Sequence, residues 1–325
     1  MTASKPTWLR RTARLPRLAG QFLRWGVPRR ALLFGPLSLG DDLLCTAVLR
    51  EARRRGSPFA MLTARPELFI GNSDPARVLP IDDYYVAALR RTGTRVVQPY
   101  YVARDPTNPD RDLLPPHHVI AEMCRLAGLT GRIALRPYLS LTKEELSRGR
   151  LHERQIALHS TGAAAAIPYG NKEWGAANFA TVARLLAADF HLVQVGPAGD
   201  PALPVATDLR GKTSLRETAA VLANSIAFVG LEGFLVHLAR AVECRAVVIV
   251  GGRALPAAFG YSCNRNLVTA VSCSPCGLIN TCDRSRECLT RIEPSAVASA
   301  ARDLAALPSE PPPADIVDLP ATPIP

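Results

Sequence analysis

Short apolar runs alternate along this chain with segments whose apolar positions return every three or four residues, the pattern of strands followed by amphipathic helices. ALLFGP (31–36) is the first run, and LSLGDDLLCTAVLREARRRG (37–56) after it reads as a turn and a helix stopped at Gly56. PFAML (58–62), RVLPI (77–81) and RVVQPYYV (95–102) continue as strands, and HHVIAEMCRLAGL (117–129) is a helix closed by Gly128. A second series starts at QIALHST (155–161), with further strands at FHLVQVG (190–196), SIAFVG (225–230) and AVVIVGG (246–252). Helices fall between them at 178–188, 214–224 and 234–243, and a last one at 294–306. Ser214 and Glu217 have capping-box spacing, which fixes the start of the second of these.

Strands alternating with helices favour parallel sheets, so the fold class is α/β with two Rossmann-like domains facing a cleft. The expected boundaries are a basic leader at 1–30, a first α/β domain at 31–130, a polar linker at 131–150, a second α/β domain at 151–307 and a tail at 308–325. That tail holds seven prolines and is expected to be disordered or polyproline II. In open parallel sheets ligands bind beyond the carboxyl ends of the strands, so chemistry is sought in the loops there.

Charge changes the picture less than its total suggests. The net charge is +11, but Lys5, Arg10, Arg11, Arg14, Arg17, Arg24, Arg29 and Arg30 all lie in the leader, which has no acidic residue. A nucleic-acid-binding protein built around the cysteines would need basic and aromatic residues together on the body, and aromatics are only 6% of the chain. The leader lacks the unbroken apolar core of a signal peptide, and charged residues interrupt the most apolar body segment, so a cytoplasmic protein is expected. Trp8, Leu9, Leu15, Leu18, Phe22 and Trp25 interleave with the leader arginines, a composition suited to resting on an anionic inner leaflet or to a frayed basic terminus.

Three loops could carry chemistry. In GPLSLGDDLL, Asp41 follows Gly40 at a helix start, where a carboxylate serves as a cap or a base. In LHSTGAAAAIPYGNKEW, Ser160, Thr161 and Gly162 offer hydroxyls and amides to an anion, and Lys172 is near enough in sequence to reach it. In FVGLEGFLVHLARA, Gly230 and Gly233 flank Glu232 at a helix entry, with His237 one turn inside as either a ligand contact or a packed histidine. Neither a Walker loop nor a GxGxxG fingerprint is present in these loops. Cys273, Cys276, Cys282 and Cys288, spaced x2, x5 and x5, suit a structural zinc or iron site or else a set of free or paired thiols.

Taken in order, SLGDDLL, NKEW, DLRGKTSLRE, FVGLEGFLVHLARAV and CSPC leading to CLTRI resemble glycosyltransferase family 9, the heptosyltransferases. The resemblance implies the GT-B fold and inverting transfer of a heptose from ADP-heptose to a hydroxyl of the lipopolysaccharide core, or alternatively to a protein hydroxyl. It implies that residues 31–130 hold the acceptor and 151–307 the nucleotide sugar, with Asp41 as general base, Lys172 on the donor diphosphate, Ser160, Thr161 and Gly162 around the phosphates, and Glu232, Gly233 and His237 at the donor. It implies no cofactor for catalysis, and no Asp-x-Asp metal motif stands in these loops. The family's Asp-Ser/Thr-Gly is replaced here by Glu232-Gly233-Phe234, a departure at the donor sugar.

Overall fold

The computed structural model describes residues 14–35 and 39–320. Helix α1 (Arg14–Trp25) leads into β1 (Arg30–Leu33), α2 (Leu39–Arg54), β2 (Ala60–Thr63), β3 (Val78–Pro80), α3 (Asp83–Arg91) and β4 (Arg95–Val97). These strands form one parallel sheet in the order β3-β2-β1-β4. Gly56, at φ +66°, gives the chain leaving α2 the left-handed backbone that a side chain would strain.

The apolar run at 95–102 is a strand only over its first three residues. Its partner β1 ends at Leu33 and Pro99 has no amide to donate to a ladder, so the chain leaves the sheet there. It crosses to the other half of the molecule and forms a hairpin of β5 (Ala103–Arg104) and β6 (Asp112–Leu113) before α4 (Val119–Leu126).

The stretch expected to be a linker is structured. It contains β7 (Gly131–Ala134) and α5 (Lys143–Gly149), capped by a reciprocal Thr142–Glu145 box. Helix α5 lies so close to α7 that a Cβ on Gly149 would stand 2.2 Å from the Ala220 carbonyl carbon.

The second sheet is built from β8 (Gln155–Leu158), α6 (Ala176–Leu186), β9 (His191–Gln194), β10 (Thr207–Asp208), α7 (Leu215–Ala223), β11 (Ala227–Leu231), α8 (Phe234–Ala241), β12 (Ala246–Val250), the short α9 (Pro256–Phe259) and β13 (Arg265–Val268). Its order is β10-β9-β8-β11-β12-β13, all parallel. Strands β8, β11 and β12 are buried along their whole length, which is why they read as unbroken apolar runs. Helices α10 (Glu287–Thr290) and α11 (Pro294–Ala305) close this half, and β14 (Ile316–Leu319) follows.

Two terminal expectations are corrected. The tail is ordered as far as 320: β14 pairs antiparallel with β7, while Arg245 donates to the Pro308 carbonyl at 2.8 Å and Arg240 to that of Pro313 at 2.8 Å. Its prolines suit it to this course, because it offers carbonyls to arginines over most of its length and needs amides only at β14. The second half of the leader is also packed. Phe22 and Trp25 lie 5.7 and 5.0 Å from the ring of Tyr85, whose hydroxyl donates to the Gly26 carbonyl at 2.6 Å. The leader's Lys5, Trp8, Leu9, Arg10 and Arg11 lie outside the described residues.

The two halves share a core. Leu43 and Val48 of α2, Met123 of α4, Val221 of α7 and Val236 and Leu238 of α8 belong to one buried cluster. A Cβ on Gly40 would stand 3.8 Å from the Phe234 Cα, so the first turn of α2 rests on the first turn of α8. Among the described residues no helix is long and apolar enough to cross a membrane.

Candidate active site

Numbered within its own half, the second sheet runs 3-2-1-4-5-6, and its order reverses between β8 and β11, where neighbouring helices leave to opposite faces and open a crevice. Ser160 and Thr161 stand just past the end of β8, and Glu232 and Gly233 just past the end of β11, so the fold brings both loops to that crevice. Ser160 is fully buried and its hydroxyl has no partner among the described residues. Gly233, at φ +151°, is the N-cap of α8, and no side chain caps that helix, which leaves its first amides facing the crevice.

Glu232 therefore does not cap α8. Its buried carboxylate lies 3.5 Å from the Lys172 ammonium, which also sits 4.9 Å from the centre of the Tyr169 ring. Lys172 ends a short 3₁₀ turn (Gly170–Lys172), and one carboxylate and one aromatic face hold it at the crevice. The expectation for Gly162 is only half met. It lies in the loop, but its amide donates to Glu173 at 2.7 Å, so a carboxylate of the chain already occupies that donor. Thr161 accepts from the Ala163 amide at 3.1 Å, which shapes the turn.

Asp41 is the third residue of α2, inside the first turn. Its Oδ1 accepts from the Tyr101 hydroxyl at 2.6 Å. Burial, and then the Asp41 carboxylate beside it, push the Tyr101 phenol well above its ordinary range, so Tyr101 is a donor in this pair. Because α2 and α8 meet at their first turns, Gly40, next to Asp41, lies against Phe234, next to the Glu232–Gly233 turn. Asp42 turns the other way: fully buried, it accepts from the Thr63 hydroxyl at 2.6 Å, with Arg65 at 3.7 Å. Burial pushes its carboxyl up to about 6, against the pull of these two partners.

His237 lies one turn into α8 and is buried, with Nδ1 2.7 Å from the Tyr261 hydroxyl. Burial, helped by the nearby His118 and Lys172, lowers it to about 3, so it is a neutral ring packed between the halves.

Sequence reasoning overlooked several groups. Tyr101, Tyr169, Asp112 and Arg253 converge here from separate loops, with Arg253 4.5 Å from the Tyr169 ring centre and paired with Asp112. No local pattern marks them. His159 Nε2 lies 3.1 Å from Asp200 beyond β8 and β9. This pair had a signal in the glycine of VGPAGD: a Cβ on Gly196, at φ +132°, would stand 2.5 Å from Asp200 and 2.7 Å from His159.

Cys273, Cys276, Cys282 and Cys288 line one small cavity beside Gly252 and Arg253, and all four are free thiols. They are not gathered as a ligand set: among the described residues no three His, Cys, Asp or Glu side chains are placed to hold a metal ion. Cys273 and Cys282 are exposed, whereas Cys288 is fixed on α10 against Gly252, and Cys282 Sγ accepts from the Arg286 amide at 3.3 Å. The expected zinc or iron site does not fit this arrangement, which wants four convergent thiolates.

No protein-family model and no curated protein matches the chain. Solved structures do. A glycosyl transferase family 9 protein from Veillonella parvula DSM 2008 superposes with a TM-score of 0.60 at 13% identity, over 85% of this chain and 97% of its own. The ADP-heptose lps heptosyltransferase II of E. coli gives 0.61 at 16% identity, over 85% and 98%. The iron-containing dodecameric glycosyltransferase TibC of enterotoxigenic E. coli H10407 gives 0.64 at 17% identity, over 85% and 76%. The chain has the GT-B fold. In a GT-B fold, two Rossmann-like sheets present their loops to one cleft, which is where Asp41 and Lys172 stand here, one from each half.

Proposed function

We propose that the protein is an inverting glycosyltransferase that moves a heptose from ADP-heptose to a hydroxyl acceptor, a sugar of the lipopolysaccharide core. The observation that carries this reading is the pairing of a carboxylate, Asp41, from the first half with a cation and uncapped helix amides, Lys172 and the start of α8, from the second. The GT-B neighbours that bear heptosyltransferase names support the donor.

In this mechanism the acceptor oxygen bonds to the anomeric carbon as the bond from that carbon to the β-phosphate oxygen breaks. The leaving electron pair goes with ADP, and the acceptor proton passes to Asp41. A positioned base contributes about 10²–10⁴ in rate. The charge growing on ADP falls to Lys172, the α8 amides and the Ser160 hydroxyl, donors already oriented before reaction. On donor binding the phosphates compete with Glu232 for Lys172, which frees Glu232, one methylene longer than the family's aspartate, to accept from donor sugar hydroxyls.

The protein works in the cytoplasm in this reading. Contact with the anionic inner leaflet is assigned to the end of α1 and the segment after it, where Leu23 is 89% and Val27 51% exposed beside Arg24 and Arg29.

Steady-state kinetics with ADP-heptose and calorimetry with ADP test the reading. Asp41→Asn is expected to lower kcat by about 10²–10⁴ with ADP affinity kept. Lys172→Ala is expected to weaken ADP by roughly tenfold or more, the loss of one charge-assisted contact. Wild-type kcat in Asp41→Asn removes Asp41 as the base, and absence of ADP binding by the wild-type chain removes the reading altogether.

A further inference from the structure

The five residues between Cys276 and Cys282 are bonded along both edges, and the two edges lead to the two ends of the reaction. On one edge lies the excursion after β4. The Asp112 amide donates to the Gly277 carbonyl at 2.9 Å and the Ile279 amide to the Asp110 carbonyl at 2.8 Å, with Arg111 and Leu278 bridged antiparallel between them. The Asp110 carboxylate then accepts from the Asn280 amide at 3.1 Å, the Thr281 amide at 2.8 Å and the Thr281 hydroxyl. The contact is tight: a Cβ on Gly277, at φ +69°, would stand 2.4 Å from the Asp112 carbonyl oxygen. The same excursion carries Tyr101, whose hydroxyl is on Asp41.

On the other edge lies the turn that ends in Lys172. The Asn171 amide donates to the Ile279 carbonyl at 2.9 Å, its side chain to the Thr281 carbonyl at 2.7 Å, and the Gly170 amide to Asn280 Oδ1 at 2.9 Å. Lys172 follows directly. Across the top, Arg253 and the Tyr169 hydroxyl both donate to Asp112, tying the two edges together.

We propose that residues 277–281 are a positioning element for the reaction, holding the base through the 98–116 excursion and Tyr101, and the cation through the 170–172 turn. The proposal rests on the glycosyltransferase reading above. It gives the cysteine segment a part in transfer that requires no metal: the backbone between Cys276 and Cys282 registers one half of the molecule against the other at the site itself. Tyr101 does not take the acceptor proton. It fixes the orientation of Asp41, and a hydrogen bond donated to a carboxylate favours the charged form. Among the described residues, the titratable groups near the Asp41–Tyr101 pair include Asp42 and Cys45 on α2, with Arg65 behind Asp42, and Tyr169 and Arg253 beside Tyr101.

Three variants separate the two edges. Tyr101→Phe is expected to lower kcat about tenfold and to move the acidic limb of the kcat profile upward by about 0.5–1 pH unit, with donor KM unchanged, since one hydrogen bond to the ionised base is lost. Asp110→Ala removes the side-chain bonds of the first edge while its backbone bonds remain, and is expected to reproduce both effects in weaker form, with partial recovery in Asp110→Asn, which keeps a carbonyl acceptor for the Thr281 donors. Asn280→Ala loosens the second edge and is expected to raise donor KM several-fold with the acidic limb in place. The proposal is overturned if Tyr101→Phe leaves kcat and the acidic limb at wild-type values. It is equally overturned if Asp110→Ala or Asn280→Ala lowers only the melting temperature. Wild-type protein that binds ADP and turns over while the variants behave as wild type sinks the positioning role alone. Wild-type protein that neither binds ADP nor turns over sinks the glycosyltransferase reading, and this proposal with it.

Discussion

Two adjacent aspartates in the first turn of α2 have opposite fates. Asp41 faces the cleft and is bonded by a phenol, while Asp42 is enclosed and its carboxyl is raised from 3.8 to about 6. A carboxyl raised in the folded state binds its proton more readily there than in the unfolded chain. Its stability contribution is therefore full below about pH 4, falls as pH rises to about 6, and is level beyond. Asp42→Asn, which keeps an acceptor for Thr63 and carries no charge, is expected to match wild type near pH 4. Above about pH 6.5 it should be more stable by up to about 3 kcal/mol, the worth of a two-unit shift. Thermal melts of both proteins across that range check this, and a variant less stable than wild type at pH 8 contradicts it. The same substitution leaves the Asp41–Tyr101 bond untouched, so turnover should hold within a few-fold.

At the scale of elements, hydrophobic period placed the pieces well wherever a segment's own contacts decided its state. The Ser214–Glu217 box forms as spaced, with the Glu217 amide donating to Ser214 and Glu217 accepting from the Ser214 amide at 2.8 Å. The strand read at 95–102 lost its second half because its partner β1 ends at Leu33 and Pro99 has no amide to extend the ladder. The tail, whose composition argued for disorder, is fixed by distant arginines. Arg240 is 1% exposed, and its acceptors among the described residues are the Pro312 and Pro313 carbonyls. Truncation after Leu307 removes those acceptors and β14 together and leaves a buried cation unpaired, so a loss of about 3–5 kcal/mol is expected in denaturant unfolding. An unchanged midpoint would show the tail to be dispensable.

Helix α1 calls for two truncations. Removal of residues 1–28 takes Phe22 and Trp25 off Tyr85 and is expected to destabilise the first sheet by about 2–3 kcal/mol, from the loss of two partly buried aromatic contacts on a buried ring. Removal of residues 1–13 leaves those contacts in place, so the protein lacking residues 1–28 should melt below the one lacking residues 1–13. Equal melting temperatures for the two truncations would mean that the packing of α1 adds nothing to the stability of the body.

At the scale of the molecule, the sequence by itself determined the alternation of strand and helix, hence two parallel sheets and the side of each on which a ligand binds. It also singled out Asp41, Lys172 and the Glu232–Gly233 turn as candidates, because each lies in a segment that follows a strand, where a short local pattern of glycine, charge and helix start marks it. Tertiary structure alone decided what those residues touch. Tyr101 reaches Asp41 across 60 positions, and Asp110 reaches Asn280 across 170. It also decided that the four cysteines line a cavity without converging on a metal, and that the backbone they flank joins the two halves at the site. The physical reason is range: periodicity, capping and turn chemistry act within a few residues of the chain. Which carboxylate meets which phenol is settled only when the shared core of α2, α4, α7 and α8 closes and brings separate loops to one cleft.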